Sequence, residues 1–320
     1  METCKSPRTV MRAAFCLASR SLPEYSSKFS RKDFTLPQLF ACLAVKEMLK
    51  RSYRQAEVLL ADCPGWLKDI GLERAPDHNT LCRAANYLLR TFRANKLLDV
   101  LSTWAAEAKM LKLSEKPLAV DSTSYESHHV SRHYEQRCRK TRLRMKAKDR
   151  EKGRKSSRSR TVRSLPKLAI AVATSCHLVL SMWTGTGMGA DQPHFEPVVF
   201  DAWRRSRRRR FKVAADAGYD SEDNHQIARQ DMGLVSLIPP NAGRPRKDGG
   251  PPGGRWRRHM KGLLATKDSR QRCGYTQRWQ VETVNSMMKR NLGSELRGKT
   301  ANTRKQDMRL KTLVHDLMVV

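Results

Sequence analysis

The sequence predicts a mixed α/β core preceded by an all-helical region. Three observations carry this. Residues 34–112 place apolar side chains at helical spacing. After Leu113 short apolar runs appear, at 118–120, 168–174, 178–184, 211–215 and 235–238. Helix-length segments fall among and after them, at 191–209, 221–231, 275–292 and 303–318. The order is helices first, then β, ββ, α, β, α, β, α, α. Strand pairs followed by strand–helix units describe a mixed sheet flanked by helices.

Residues 1–30 show no clear period and are expected to be loosely ordered. Leu36, Leu39, Phe40, Leu43, Ala44 and Met48 then recur at helical spacing. Tyr53, Ala56, Val58, Leu59 and Leu60 continue the pattern, and Pro64-Gly65 breaks it. A helix is expected over 81–92, with Asn79 or Thr80 as its N-cap. A further helix covers about 96–111. The division expected is a helical region, 1–113, and an α/β domain, 114–320. Residues 131–164 form a basic insert opposed only by Glu135, Asp149 and Glu151. Residues 241–254 are rich in Gly, Pro and Arg and open a basic loop, 241–267.

The charge narrows the function. There are 63 Lys and Arg against 31 Asp and Glu, a formal excess of 63 − 31 = +32. Such an excess strains a compact fold unless a polyanion neutralises it. Nucleic acid is the first partner to consider, and an anionic membrane surface the second. With 39% apolar residues the chain has enough for a core. A membrane-spanning helix needs about 20 apolar residues in succession. The longest nearly apolar stretch, 168–183, is broken by Thr174, Ser175, Cys176 and His177. Residues 15–18 are too few for a secretory core. None of the eight cysteines is paired as C-x2-C, which suits free thiols in the reducing cytoplasm.

Two apolar strands end in an acid. Leu118-Ala119-Val120 runs into Asp121, and Lys212-Val213-Ala214-Ala215 runs into Asp216. A carboxylate buried alone is costly. Each is either a turn or cap residue, or a metal ligand. A third acid stands on the segment 275–292. Tyr275, Arg278, Glu282, Ser286 and Lys289 fall within about 80° of one another on a helix, with Val281, Val284, Met288 and Leu292 opposite. Glu282 thus lies on a polar stripe between cations. The plain alternative is a solvated face with ordinary side-chain pairs.

The pattern Tyr275-x2-Arg278-x3-Glu282-x6-Lys289 resembles the signature of bacterial insertion-sequence transposases with a DDE site and a ribonuclease H-like core. The stretches around Asp121-Ser122-Thr123 and Asp216-Ala217-Gly218-Tyr219 resemble that family's first and second Asp strands. The likeness runs over about 34–318. It implies that Asp121, Asp216 and Glu282 are the catalytic, metal-holding triad, for two Mg²⁺ ions that Mn²⁺ could replace. Two such ions suit in-line displacement at phosphorus, and hard cations take carboxylate oxygen. The resemblance further implies that Tyr275, Arg278 and Lys289 hold the DNA end. It implies cleavage at inverted-repeat ends, strand transfer into target DNA, and a homodimer on paired ends. The helical region would bind DNA or dimerise, and no membrane is involved. A non-catalytic DNA-binding relic and a ribonuclease H-type nuclease remain as alternatives.

Other candidates compete. Asp220 is expected to cap the helix after it and Asp191 the helix over 191–209. Glu126 could stand beside Asp121. Glu222 lies close to Asp216. His128, His129, His133 and Cys138 could suggest zinc, but lack a complete ligand set. The basic runs 132–167, 204–212 and 244–267 are expected to follow DNA phosphates, with Trp203 and Trp256 able to stack on bases. Leu81 opens the best candidate for a recognition helix. Asp216 and Glu282 are 66 residues apart in number, so no β insertion domain is expected between them. A further C-terminal portion could follow Val320.

Overall fold

A computed structural model describes residues 3–127, 165–187, 189–241 and 253–320, with 136, 140, 143 and 144. Most of the basic insert, the four zinc candidates and the loop 242–252 lie outside the described residues.

The helical region contains α1 (Pro7–Ser21), α2 (Leu36–Met48), α3 (Tyr53–Asp62), α4 (Pro64–Lys68), α5 (His78–Leu88) and α6 (Thr91–Glu107). The first helix departs from the expectation of a loose N-terminus. Ser6 caps it and Pro7 opens it. Val10, Met11, Ala14, Leu17 and Ala18 form a buried stripe at helical spacing. Basic and polar residues interleave that stripe and mask it by eye. Helix α2 is buried at every position but Gln38, so it forms the middle of the region. The cap of α5 is Asp77, not Asn79 or Thr80. Its carboxylate accepts from the N–H groups of Asn79 and Thr80 at 2.8 and 3.0 Å, which lie in the first turn. The segment expected as one helix over 81–92 instead divides between α5 and α6.

The sheet holds β1 (Leu118–Ser124), β3 (Pro166–Ala173), β4 (Leu178–Thr186), β5 (Lys212–Ala215) and β6 (Val235–Leu237). A two-residue strand, β2 (Glu126–Ser127), pairs separately with β7 (Glu295–Leu296). The order across the sheet is β4-β3-β1-β5-β6. The β1–β3 and β3–β4 pairs are antiparallel, while β1–β5 and β5–β6 are parallel. Helix α7 (Phe195–Arg205) covers one face. Helices α11 (Trp279–Leu292) and α12 (Ala301–Val319) cover the other. Between them along the chain lie α8 (Glu222–Gln226), α9 (Arg255–Leu263) and α10 (Lys267–Cys273).

Side chains alternate between the two faces of a strand. Ala119, Leu168, Ile170 and Val172 enter the core shared with α11, α12 and the helical region. Leu118, Val120, Ala169 and Ala171 enter the core under α7. By this parity Asp121 faces α11. Val120 is paired with Ala215, the last pair of the parallel ladder, so Asp121 and Asp216 stand side by side just past its end. Only Asp216 follows the end of its strand as expected; β1 runs on through Asp121 to Ser124, paired with β3. Ligand sites in open α/β sheets gather at such strand ends.

Candidate active site

Asp121 is half-buried. Burial pushes its carboxyl up to about 6, and the nearby Glu282 and Asp216 add to the rise. The Ser122 N–H and Arg278 work the other way. The amide of Asn285, on α11, donates to Asp121 Oδ2 at 3.1 Å. Asn285 is itself buried, and its own Oδ1 has no partner among the described residues. Asp216 is exposed and accepts from the Ala217 N–H at 2.6 Å, which starts a single 3₁₀ turn, Ala217–Tyr219.

The third group comes from two short elements rather than one continuous helix. Gly274, at φ 86°, adopts the left-handed conformation that favours glycine. A 3₁₀ turn, Tyr275–Arg278, follows and leads into α11. Val281, Val284, Met288 and Leu292 are buried against the sheet, as the helical spacing requires. Glu282, Ser286 and Lys289 face outward. With Asp121, Thr123, Asn285 and Arg290 they line an open depression of about 590 Å³.

Arg278 donates to Glu282 Oε1 at 2.6 Å. Burial opposes the guanidinium's charge, but Glu282, Tyr275 and Asp216 outweigh it and hold the group firmly protonated. Tyr275 packs on the small cluster of Ala214, Leu237, Met260 and Leu264, beside the strand that carries Asp216. Burial raises its phenol. Lys289 is half-buried, with its ammonium 5.5 Å from the Tyr125 ring centroid. Burial lowers its pKa, while Asp121 and Glu126 oppose that.

Among the described residues no three His, Cys, Asp or Glu side chains converge closely enough to hold an ion. Glu282 is turned onto Arg278 instead. The donors nevertheless suit a hard divalent cation. They are carboxylate oxygens, and the carboxylates of Glu282 and Asp216 both add to the rise of the desolvated Asp121. A cation between the acids would relieve that repulsion.

Several expectations change. Asp220 does not cap α8. Ser221 does, accepting from the Asn224 N–H at 3.0 Å. The Asp220 side chain is wholly buried and receives Arg257 at 2.6 Å across the basic loop. Glu222 accepts from the N–H groups of Trp256 and Arg257, and so caps α9 from outside. Asp191 stands at the N-cap of the 3₁₀ turn Gln192–His194 that leads into α7, but its side chain makes no capping bond. It pairs with Lys167 at 2.5 Å and receives Ser122 Oγ. Arg204 and Arg205 both bind Asp99; Arg205 is buried, while Arg204 stays exposed. Two guanidiniums, of Arg229 and Arg255, lie over the Trp256 ring. Trp203 packs with Phe200 and Arg208. Neither indole offers an open face like that of Trp279, which is exposed at the start of α11. Trp279 and Asn285 were not distinguished by the sequence. Only the Trp–Glu spacing on one helix could have pointed to the first.

A mixed sheet ordered β4-β3-β1-β5-β6, with acids at the ends of its central parallel pair, is the ribonuclease H-like architecture of phosphodiester-processing enzymes. The family model described as "Transposase DDE domain" matches residues 112–317, well over half of the chain, and the protein belongs to that family. No curated protein and no solved structure matches it. Members of the family act on DNA and generally use divalent metal ions. Among the described residues no helix is long and apolar enough to cross a membrane.

Proposed function

We propose that this transposase cuts DNA at the inverted-repeat ends of its element and transfers the freed strand to a target, by a cut-and-paste route. The observation that carries the reading is the register Val120–Ala215. It sets Asp121 and Asp216 side by side, under the helix that carries Glu282. These three carboxylates would hold two Mg²⁺ ions, with Mn²⁺ able to substitute. When bound, such ions activate the attacking oxygen and stabilise the leaving one.

The protein's own groups do the rest. Arg278, a planar fork already beside Glu282, would hold a phosphate bidentately, and Lys289 would act as a point charge about two turns further along the same face of α11. Tyr275 would position the DNA end near Asp216. Asn285 would hold Asp121 in one orientation, and Lys167 would steady the Asp191–Ser122 pair next to it. The openness of the depression suits a duplex rather than a small molecule. Cleavage and joining in one site require two ends together, so the working form would be a homodimer on paired ends, in the cytoplasm.

A strand-transfer assay tests this. A duplex pre-cut at an inverted-repeat end is incubated with plasmid target and Mg²⁺, with and without a chelator. Joined product that vanishes with chelator is the expected result. Cutting without joining would identify a nuclease, and neither would leave a DNA-binding relic.

A further inference from the structure

The largest cleft among the sites described lies away from the three carboxylates, between the helical region and the catalytic domain. Its volume is about 830 Å³. One wall is the start of α3 and the residues before it. The other runs from Leu292 through β7 to the start of α12. The floor carries two ammonium groups and two carboxyl groups. Lys46 and Lys311 are both 3% exposed and share one carboxylate, Glu47, at 3.1 and 2.9 Å. Asp307 adds a carboxyl that burial, with Glu47 beside it, raises above its ordinary range.

The rim is open and carries Lys50, Arg51, Arg297 and Lys299 against one carboxylate, Glu295. Arg51, Arg297 and Lys299 are exposed and have no carboxylate partner among the described residues. Two helices, α3 and α12, begin at this cleft, capped by Ser52 and Thr300. Their dipoles add positive potential in the same place.

The cleft neighbours the active-site depression. Lys50 at its edge donates to the Arg290 carbonyl at 3.0 Å, and Arg290 lines the depression that holds Asp121 and Glu282. From Glu282 to Leu292 the helix advances about 15 Å. That is about four to five base-pair steps of duplex DNA.

We infer that this cleft seats the phosphodiester backbone of the duplex whose scissile bond lies at Asp121 and Glu282. The inference rests on the proposed transposase activity. It assigns the helical region a contact four to five steps from the cut, made by Arg51, Arg297 and Lys299. These three side chains would register the DNA end against the carboxylates.

The test is duplex binding by the full-length protein, with calcium replacing magnesium so that nothing is cut. Fluorescence anisotropy of a labelled inverted-repeat duplex is followed over a salt series. The variant R51A/R297A/K299A is compared with K109A/K112A/K116A, which removes equal charge from exposed positions elsewhere. If three phosphates are lost, the slope of log affinity on log salt falls by about 2.7, and affinity near physiological salt by about a hundredfold. The second variant should bind within about threefold of the parent, with its slope unchanged. Equal losses in both, or none in the first, would overturn the cleft assignment while leaving the transposase reading intact. Failure of the parent to bind would overturn the transposase reading itself. Circular dichroism confirms that both variants fold.

Discussion

Replacing Asn285 by alanine separates positioning from packing at the candidate active site. Asn285 Nδ2 donates to Asp121 Oδ2 at 3.1 Å, and its Oδ1 is buried without a partner among the described residues. A hydrogen bond to a charged group contributes about 1.5–3 kcal/mol. If that interaction holds Asp121 for catalysis, its loss lowers the cleavage rate by about ten- to a hundredfold. Stability should respond differently. The substitution also removes a buried oxygen whose unmet desolvation costs about 1–3 kcal/mol, which offsets the lost bond and the small cavity. The melting temperature should therefore move by only a few degrees. Single-turnover cleavage of an end duplex and a thermal melt on the same sample read the two effects. Asn285→Ser keeps a donor and should recover several-fold of the lost rate. Cleavage by Asn285→Ala within about twofold of the parent would refute the positioning role. A large loss of stability alongside slow cleavage would assign Asn285 to packing instead.

Other consequences are measurable. Arg257→Ala leaves the wholly buried Asp220 carboxylate without its 2.6 Å partner, and should destabilise the fold by about 3 kcal/mol in urea denaturation. His315 is buried and donates through Nε2 to the His177 carbonyl at 3.1 Å; burial lowers its pKa to about 4. The unfolded chain therefore binds more protons between about 6.5 and 4, so stability falls as pH drops through that window. This one group accounts for a loss of about 3 kcal/mol, visible as a lower midpoint at pH 4 than at pH 7. Magnesium at about ten times its dissociation constant should stabilise the parent by about 1.4 kcal/mol. Asp121→Asn should show no such gain, and an equal gain would remove Asp121 from the metal site.

Legibility followed the range of the interactions. Strands, their acids and the polar face of α11 could be read because each depends on spacing of a few residues. Their assembly follows from the register of β1 on β5. The cap of α5 was misplaced by two or three residues, because Asp77, Asn79 and Thr80 all favour such a position. Helix α1 was missed because arginine and polar residues dilute its buried stripe. Asp220 and Asp191 were misread for a different reason. Their partners, Arg257 and Lys167, lie 37 and 24 residues away, and only the fold brings them together. Asn285 carries no charge and stands one turn past Glu282, so nothing in the sequence set it apart from a helix-surface amide.

The shared role proposed for Asp121, Asp216 and Glu282 is the point on which everything else depends. The direct measurement is Mg²⁺-dependent cleavage of an inverted-repeat duplex by Asp121→Asn, Asp216→Asn and Glu282→Gln, with DNA binding measured on the same preparations. Each variant should bind within a few-fold of the parent and cut at least about a thousandfold more slowly, since each removes a carboxylate that the proposed metal ions require. Cleavage at the parent rate by any one of the three would contradict the triad.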